Sequence, residues 1–411
     1  YKKLTSVSER LPKLKYVIVI DEAGIKLNSS VISYKALLSR GIERLVMEGE
    51  REKIEREVML GDESDTATII FTSGTTGLPK GVMSTHGNFL YICGVGNSLY
   101  PFKKGEKWLS VLPVWHSFER IIQYLFISLS HTIVYSKPIG KIMLTDIQRE
   151  NPDYMGSVPR IWETVKAGVY QNVRSMSKVK KTLFNFFLSI GKHYSNAEKK
   201  VLGSTAHTKS GSVAMDRVMG FFPYIILKPF NTLGQKLVFS QVKSKLGKNF
   251  KFGISGGGSM GKDVEEFFAA VGIKLLNGYG MTETGPVIGI SDTRCPKKAF
   301  IAPLPETLVK VIDLESGKEK KVGEKGELII KGDQVMKGYY KNPEATEEVL
   351  SSEGWLNTGD VGHIGENGFL YLTGRAKSII VTEGGKNVFP EEIEDKFQLF
   401  NEIEQCCIIP Y

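Results

Sequence analysis

Cysteine is scarce in this 411-residue chain: Cys93, Cys295, Cys406 and Cys407 are the only four, and none falls in a CxxC pair or at metal-ligand spacing. A disulfide framework or a cysteine-built metal site is therefore not expected, and a reducing, cytoplasmic setting is. Long apolar runs are missing too. None reaches the roughly 20 residues that a membrane-spanning helix needs, and no signal-peptide pattern is visible. Acidic residues are scarce in one region only. From Arg160 to Lys248, sixteen Lys and Arg stand against three acids (Glu163, Glu198, Asp216), a local +13 within a total of +9, so the remainder carries about −4. That segment has no RGG-like repeat and no helix-turn-helix pattern, which argues against nucleic acid as its partner. An opening Met is lacking as well. The chain starts at Tyr1 in mid-pattern, with strand-like Tyr16–Ile20 followed by Asp21 and Glu22, and is expected to be a piece whose natural beginning is missing.

What is present reads as an ordinary globular protein, 41% hydrophobic and 24% charged, long enough for two or more domains. Apolar runs at Ile69–Ile70, Trp108–Leu112, Thr132–Tyr135 and Phe252–Ser255 alternate with helical patterns, which predicts an α/β sandwich with largely parallel sheets. After about Thr293 the runs Leu308–Ile312, Gly326–Ile330 and Gly368–Leu372 are separated by Gly, Asp and Asn turns, and a smaller β-rich subdomain is expected over 294–373. Thr373–Lys377 is the expected boundary. Beyond it the pattern gives a strand at Ser378–Val381, a glycine turn, a helix opened by Pro390-Glu391-Glu392, and a final strand at Cys406–Ile409.

One stretch carries chemistry on its face. FTSGTTGLPKG, residues 71–81, follows the β-branched run Thr66–Ile70. Thr72, Ser73, Thr75 and Thr76 supply hydroxyls, Gly74 and Gly77 let backbone N–H groups approach a ligand, and Lys80 adds a point charge. A plain glycine turn at a strand end would need none of this; an oxyanion or phosphate cradle would need all of it. The Walker spacing GxxxxGK[ST] is not met, since Pro79 precedes Lys80 and Gly81 follows it, so an ordinary P-loop fold is not expected.

Further motifs follow in chain order: LPVWHSFER (112–120), FGISGGGS (252–259), NGYGMTETG (277–285), GWLNTGD (354–360) and GFLYLTGRAK (368–377). Together with the first stretch they resemble the adenylate-forming superfamily of acyl-CoA synthetases, adenylation domains and luciferases, over nearly all the chain from Thr66 onward. VPRIWE (158–163) and the long segment before FGISGGGS resemble its long-chain fatty acyl-CoA synthetase branch. The resemblance implies a large N-terminal adenylation domain over 1–373, a hinge at 374–377 with Lys377 at its pivot, and the start of a small α+β C-terminal domain over 378–411, truncated here. It also implies a reaction: a carboxylate attacks the α-phosphorus of ATP, pyrophosphate leaves, and the acyl-adenylate passes its acyl group to coenzyme A.

The same resemblance assigns roles. Thr72–Gly77 and Lys80 would hold the β and γ phosphates, because stabilising a leaving pyrophosphate is mostly positioning and charge. Glu283, with Thr76, would hold Mg²⁺, a metal usually bound through one or two carboxylates plus phosphates. Thr282 would contact the α-phosphate. Tyr279 would lie against adenine, with Gly256, Gly257, Gly258, Gly278 and Gly280 where backbone must come close to the nucleotide. Asp360 would accept from both ribose hydroxyls, with Arg375 in support. Trp115 and His116, just past a strand where α/β ligands gather, would face the acyl carboxylate, and Gly280 would also border the substrate. Each residue has a plainer reading (turn acid, core aromatic, surface charge, structural histidine), and the ordered set of motifs is what favours the functional one.

Three functions stay open: a long-chain fatty acid–CoA ligase, the same adenylation with acyl carrier protein as acceptor, and a nucleotide-binding relative without catalysis. Intact Lys80, Glu283, Asp360 and Arg375 count against the third. The basic segment 160–248 also has two readings. Its apolar clusters Leu183–Leu188 and Phe221–Leu227 make either a core helix pair with a solvated basic face, or a surface that meets anionic lipid and admits a fatty acid, which would make the protein peripheral at the inner face of a membrane.

Overall fold

The computed structural model describes residues 4, 6–7, 10–72, 78–203, 213–258, 260–291, 302–366, 368–381, 387–397, 403 and 406–409. Contacts divide the chain into two units, 1–65 and 66–411. In the first, β1 (Val17–Val19) pairs in parallel with β2 (Val31–Ser33), which runs straight into α1 (Tyr34–Leu45). Ser33 caps that helix, its hydroxyl accepting from Ala36 N–H at 3.3 Å. A second helix, α2 (Glu50–Met59), has two glutamates in its first turn, where the helix dipole favours them.

The second unit begins with an antiparallel hairpin, β3 (Thr66–Thr72) against β4 (Lys80–Thr85), in which Thr72 faces Lys80. The described ends of FTSGTTGLPKG are thus paired across the ladder, Phe71 with Gly81 and Thr72 with Lys80. KGVMST buries Gly81, Val82 and Ser84 and completes a ladder, and the helix waits until Thr85 caps α3 (His86–Leu99). Then come β5 (Lys107–Ser110), α4 (Ser117–Ser128), β6 (Thr132–Tyr135), α5 (Gly140–Glu150), β7 (Tyr154–Ser157), α6 (Pro159–Arg174), α7 (Lys178–Val201) and α8 (Val213–Gly234). A π-turn, Gln235–Phe239, carries α8 onward to Ser244. Next are β8 (Phe252–Ser255), α9 (Lys262–Val271) and β9 (Lys274–Tyr279). Strands β5 to β9 are parallel and lie in the order β9-β8-β7-β5-β6; β10 (Gly289–Ile290) and β11 (Ala302–Pro303) extend the edge antiparallel.

Both faces of this sheet are covered, as an all-parallel core requires. On one side Leu109, Met155, Trp162, Phe184, Phe187 and Phe268 belong to a single cluster; on the other Phe89, Trp108, Phe126, Tyr154 and Phe252 form a second. Glycines make the slots for the largest rings. A Cβ on Gly253 would fall 2.3 Å from the Trp162 ring, and one on Gly156 would fall 2.6 Å from the Trp108 ring.

The β-rich part expected after Thr293 is a four-stranded antiparallel sheet, β12 (Leu308–Ile312), β13 (Gly326–Lys331), β15 (Leu356–Ile364) and β16 (Leu370–Arg375), while β14 (Gly338–Tyr339) joins the opening hairpin instead. Strand β16 runs three residues past Leu372, because Gly374 and Arg375 pair with Val361 and Asp360. Thr373–Arg375 is therefore strand, and Ala376–Ser378 is a short 3₁₀ turn. Between β14 and β15 lies α10 (Pro343–Glu347), and the last elements are β17 (Ile380–Val381), β18 (Asn387–Val388) and α11 (Pro390–Phe397). Residues 406–409 form no strand, contrary to the apolar pattern. Ile408 N–H donates instead to the Glu394 carboxylate at 2.8 Å.

In the basic segment, the first apolar cluster is largely core: Phe184, Phe187 and Leu188 are buried on α7. The second lies on α8 and is mostly exposed.

Candidate active site

Three segments leave the parallel sheet at the carboxyl ends of β5, β8 and β9 and enclose a cavity of about 120 Å³. From β5 comes the start of α4, residues 116–118; from β8 come Gly256 and Gly257; from β9 come residues 278–282, with Pro286 and Val287 closing the far side. This is where ligands of parallel α/β sheets bind.

The glycines of the cavity divide by what a side chain would meet. At Gly256 the nearest atom to an added Cβ would be 3.5 Å away, and at Gly278 it would be 3.8 Å. Protein packing does not demand glycine at either, so what their absent side chains leave free is space beside the backbone. At Gly280 a Cβ would stand 1.9 Å from the Pro286 carbonyl oxygen, so that glycine is required by the fold. Gly258 and Trp115 are outside the cavity lining; Trp115 is 71% exposed.

From the cavity wall a polar chain leads to the four-stranded sheet. The Tyr279 hydroxyl donates to Asp360 Oδ2 at 2.8 Å, and Arg375 Nε lies 3.2 Å from Asp360 Oδ1. Burial first, then the Asp360 charge, holds the Tyr279 hydroxyl well above its ordinary pKa, so it remains a donor. Three residues read separately from the sequence thus form one unit. A carboxylate offers only acceptors, the function that ribose hydroxyls would need there.

A second chain starts at Thr282. Its hydroxyl is 3.3 Å from that of Ser117, the first residue of α4, and the next residue, Glu283, is 8% exposed. Glu283 Oε1 accepts from the Tyr339 hydroxyl at 2.9 Å, and the Lys80 ammonium stands 5.1 Å from the centroid of the same Tyr339 ring. Lys80 is also 3.8 Å from Glu348. One tyrosine therefore touches both the lysine of the hairpin and the acid of NGYGMTETG. Nothing in the spacing of KGYYKNPEA points to it, since 56 residues separate it from Glu283. Ser117 was missed for the same reason. Tyr339→Phe keeps the ring under Lys80 and deletes the donor to Glu283; thermal unfolding is expected to show a loss of about 1.5–3 kcal/mol, the range for a hydrogen bond to a charged group.

His116 caps α4, its Nδ1 accepting from Phe118 N–H at 3.2 Å. Burial lowers its pKa from the ordinary 6.5, which keeps the imidazole neutral and its Nδ1 able to accept. Protonation must remove the cap. With the folded pKa below the unfolded one, stability is full above pH 6.5 and falls as pH drops through the folded value. Denaturant titrations are expected to show lower stability at pH 5 than at pH 7, by about 0.5 kcal/mol at most for so exposed a cap, and His116→Asn, which caps without titrating, is expected to flatten the difference.

Residues 73–77, with Ser73, Gly74, Thr75, Thr76 and Gly77, lie outside the described residues, as do Ser259 and Cys295. Thr72 is described, its hydroxyl 3.4 Å from the Lys80 carbonyl. Lys377 sits in the 3₁₀ turn after β16. Among the described residues no three His, Cys, Asp or Glu side chains gather as a metal cluster. A magnesium ion held by the single carboxylate of Glu283, with phosphate and water oxygens completing its shell, is compatible with that donor set.

A model of the family "AMP-binding enzyme" matches residues 2–340. Among curated proteins the chain is 36% identical to "Probable acyl-activating enzyme 16, chloroplastic" of Arabidopsis thaliana, over 93% of this chain and 55% of that one. It is 35% identical to the Arabidopsis "Long-chain-fatty-acid--[acyl-carrier-protein] ligase AEE15, chloroplastic", over 92% and 54%. With "Long-chain-fatty-acid--CoA ligase FadD15" of Mycobacterium bovis the identity is 31%, over 84% and 52%. The chain spans about half the length of the curated relatives it matches. Among solved structures, o-succinylbenzoate CoA synthetase of Bacillus subtilis in complex with its acyl-adenylate intermediate superposes with a TM-score of 0.60 at 19% identity, over 98% of this chain and 66% of that one, which is a likeness of fold.

Proposed function

The chain belongs to the AMP-binding enzyme family, in the long-chain acyl-CoA synthetase branch of the adenylate-forming superfamily, and from that membership we propose that it activates a long-chain fatty acid with ATP and passes the acyl group to coenzyme A. The observation that carries the reading is the joining of Tyr279, Asp360 and Arg375 beside a cavity whose Gly256 and Gly278 leave backbone open.

In this reading a base rests along the Gly256 and Gly278 backbone against Tyr279, and Asp360 accepts from the ribose hydroxyls while Arg375 fixes its carboxylate. Thr282 and Ser117 offer hydroxyls to the α-phosphate. Lys80, with residues 72–77, meets the departing pyrophosphate. Glu283, fixed by the Tyr339 hydroxyl, would hold Mg²⁺, which would neutralise phosphate charge. The fatty carboxylate oxygen forms a bond to the α-phosphorus as the bond to pyrophosphate breaks. A thiol then takes the acyl group and AMP leaves. His116, neutral at the cavity edge, faces the carboxylate without adding a charge. The fatty acid reaches the site from an anionic membrane surface met through 160–248, and Lys377 is the pivot about which residues 378–411 turn between the two half-reactions.

A second acceptor has specific support: the relative named as an acyl-carrier-protein ligase is 35% identical, against 31% for the CoA ligase. Pyrophosphate release from ATP and a long-chain fatty acid tests the first half-reaction, and thioester formation with coenzyme A or with acyl carrier protein tests the second. Pyrophosphate release that does not depend on a fatty acid would end the proposal. Thioester on carrier protein alone would transfer it to the second acceptor.

A further inference from the structure

Strand β15 does not run evenly against β13. Glu327 pairs with Val361 and Ile329 with Asn357, so Thr358, Gly359 and Asp360 together stand against the single residue Leu328. A bulge of this kind bends a strand and re-aims its side chains. Burial records the change of direction: Asp360 and Val361 are both buried, although a regular strand would send such neighbours to opposite faces. Gly359 takes a φ of +70°, which a residue with a side chain rarely adopts. Two amides inside the bulge are met by side chains. Thr358 Oγ1 accepts from Asp360 N–H at 3.0 Å and donates to the Leu328 carbonyl at 2.7 Å, while Glu327 Oε1 accepts from Gly359 N–H at 3.2 Å.

Asp360 is the residue that this bulge presents. Its carboxylate takes the Tyr279 hydroxyl on Oδ2 and has Arg375 beside Oδ1. The direction of that carboxylate follows from the backbone one residue earlier, and Glu327 holds the amide there. Glu327 itself is half-buried. Burial lifts its carboxyl above the ordinary range, the Gly359 amide opposes the rise, and the Asp360 charge adds to it. Two carboxylates near enough to repel make an acid costlier at this position than an uncharged side chain of equal reach. What the acid adds is a charged acceptor, which holds an N–H more firmly than a neutral one does. With Asp360 taken as the ribose acceptor of the proposed function, we propose that Glu327 is a positioning residue for nucleotide recognition: its hold on the Gly359 amide fixes the bulge that aims the Asp360 carboxylate, and thereby sets how tightly the ribose hydroxyls are bound.

Calorimetric titration of the 411-residue chain with ATP and with 2′,3′-dideoxy-ATP tests it. The wild-type chain is expected to bind ATP at least about tenfold more tightly, since the dideoxy nucleotide lacks both hydroxyl donors for a charged acceptor. Glu327→Ala is expected to bind ATP about tenfold more weakly while its affinity for the dideoxy nucleotide changes little, so that the preference collapses. Comparing the two nucleotides on each variant forms a cycle in which a general weakening of the fold cancels. Glu327→Gln, whose amide oxygen can still accept from Gly359, is expected to keep most of the preference. Glu327→Asp, a methylene too short, is expected to lose it, and decides with the glutamine variant should Glu327→Ala unfold. A preference unchanged in the alanine and aspartate variants overturns the proposal, and so does equal weakening toward both nucleotides, the mark of a purely structural acid. A wild-type chain that binds neither nucleotide, or both alike, fails differently: it takes the ribose away from Asp360 itself, and the role of Glu327 falls with it.

Discussion

Glu283→Gln is expected to lower ATP–pyrophosphate exchange by about 10²–10³-fold, as removal of one preorganised electrostatic group does, and to leave the unfolding curve almost unchanged. The two halves of the expectation come from different parts of the residue. Its backbone carbonyl accepts from Met336 N–H at 2.8 Å, a contact that no side-chain substitution touches. Its side-chain oxygen accepts from Tyr339 at 2.9 Å, and an amide oxygen of the same shape can accept there too. What the amide cannot supply is the negative charge with which Glu283 would hold a magnesium ion. The magnesium dependence of ATP affinity, read by calorimetry, is expected to flatten in parallel. Exchange near the wild-type rate would remove Glu283 from the metal site, and early unfolding would make its charge a structural one.

The second large effect separates two neighbouring glycines. Gly280→Ala is expected to cost at least about 3 kcal/mol, the upper part of the range for forced overpacking, because its Cβ would stand 1.9 Å from the Pro286 carbonyl oxygen and 2.9 Å from Val287 Cα. Those are backbone atoms, which cannot rotate away. Gly278→Ala meets nothing nearer than 3.8 Å. Its stability is expected to be unchanged or higher by up to about 1 kcal/mol, through a less flexible unfolded chain. Its ATP affinity is expected to fall at least about tenfold (about 1.4 kcal/mol), because the methyl enters a cavity of only about 120 Å³. Chemical denaturation and calorimetry on the two variants read these quantities separately. Full ATP affinity in Gly278→Ala would mean that the nucleotide does not rest on this strand end.

Much of the site could be read without coordinates because it is local. The parallel strands β5, β6 and β8 were visible as β-branched and apolar runs, and the loops after β8 and β9 as glycine clusters, since strand and turn preferences act over a few residues. Tyr279, Glu283, Asp360 and Arg375 stood in motifs whose order identified the family. Local pattern misled where long-range pairing decides. Thr373–Arg375 is strand, held by Asp360 and Val361 across the ladder, which the local pattern did not show. Cys406–Ile409 looked like a strand and forms none. The ends of FTSGTTGLPKG pair with each other, Thr72 with Lys80, which the spacing alone did not show.

By itself, then, the sequence determined the family, the α/β class with a largely parallel sheet, and the residues proposed for the candidate site. Three things were decided only by the tertiary structure. It joined Lys80 to Glu283 through Tyr339, a contact set by folding two distant segments together. It showed which cavity glycines packing demands and which leave room. It also separated two apolar clusters of similar composition, burying Phe184, Phe187 and Leu188 on α7 and turning Phe222 and Ile226 on α8 outward. Composition fixes how apolar a helix is, whereas the side it hides depends on which face its neighbour can approach, and here Gly220 and Gly234 brought α7 to the other one.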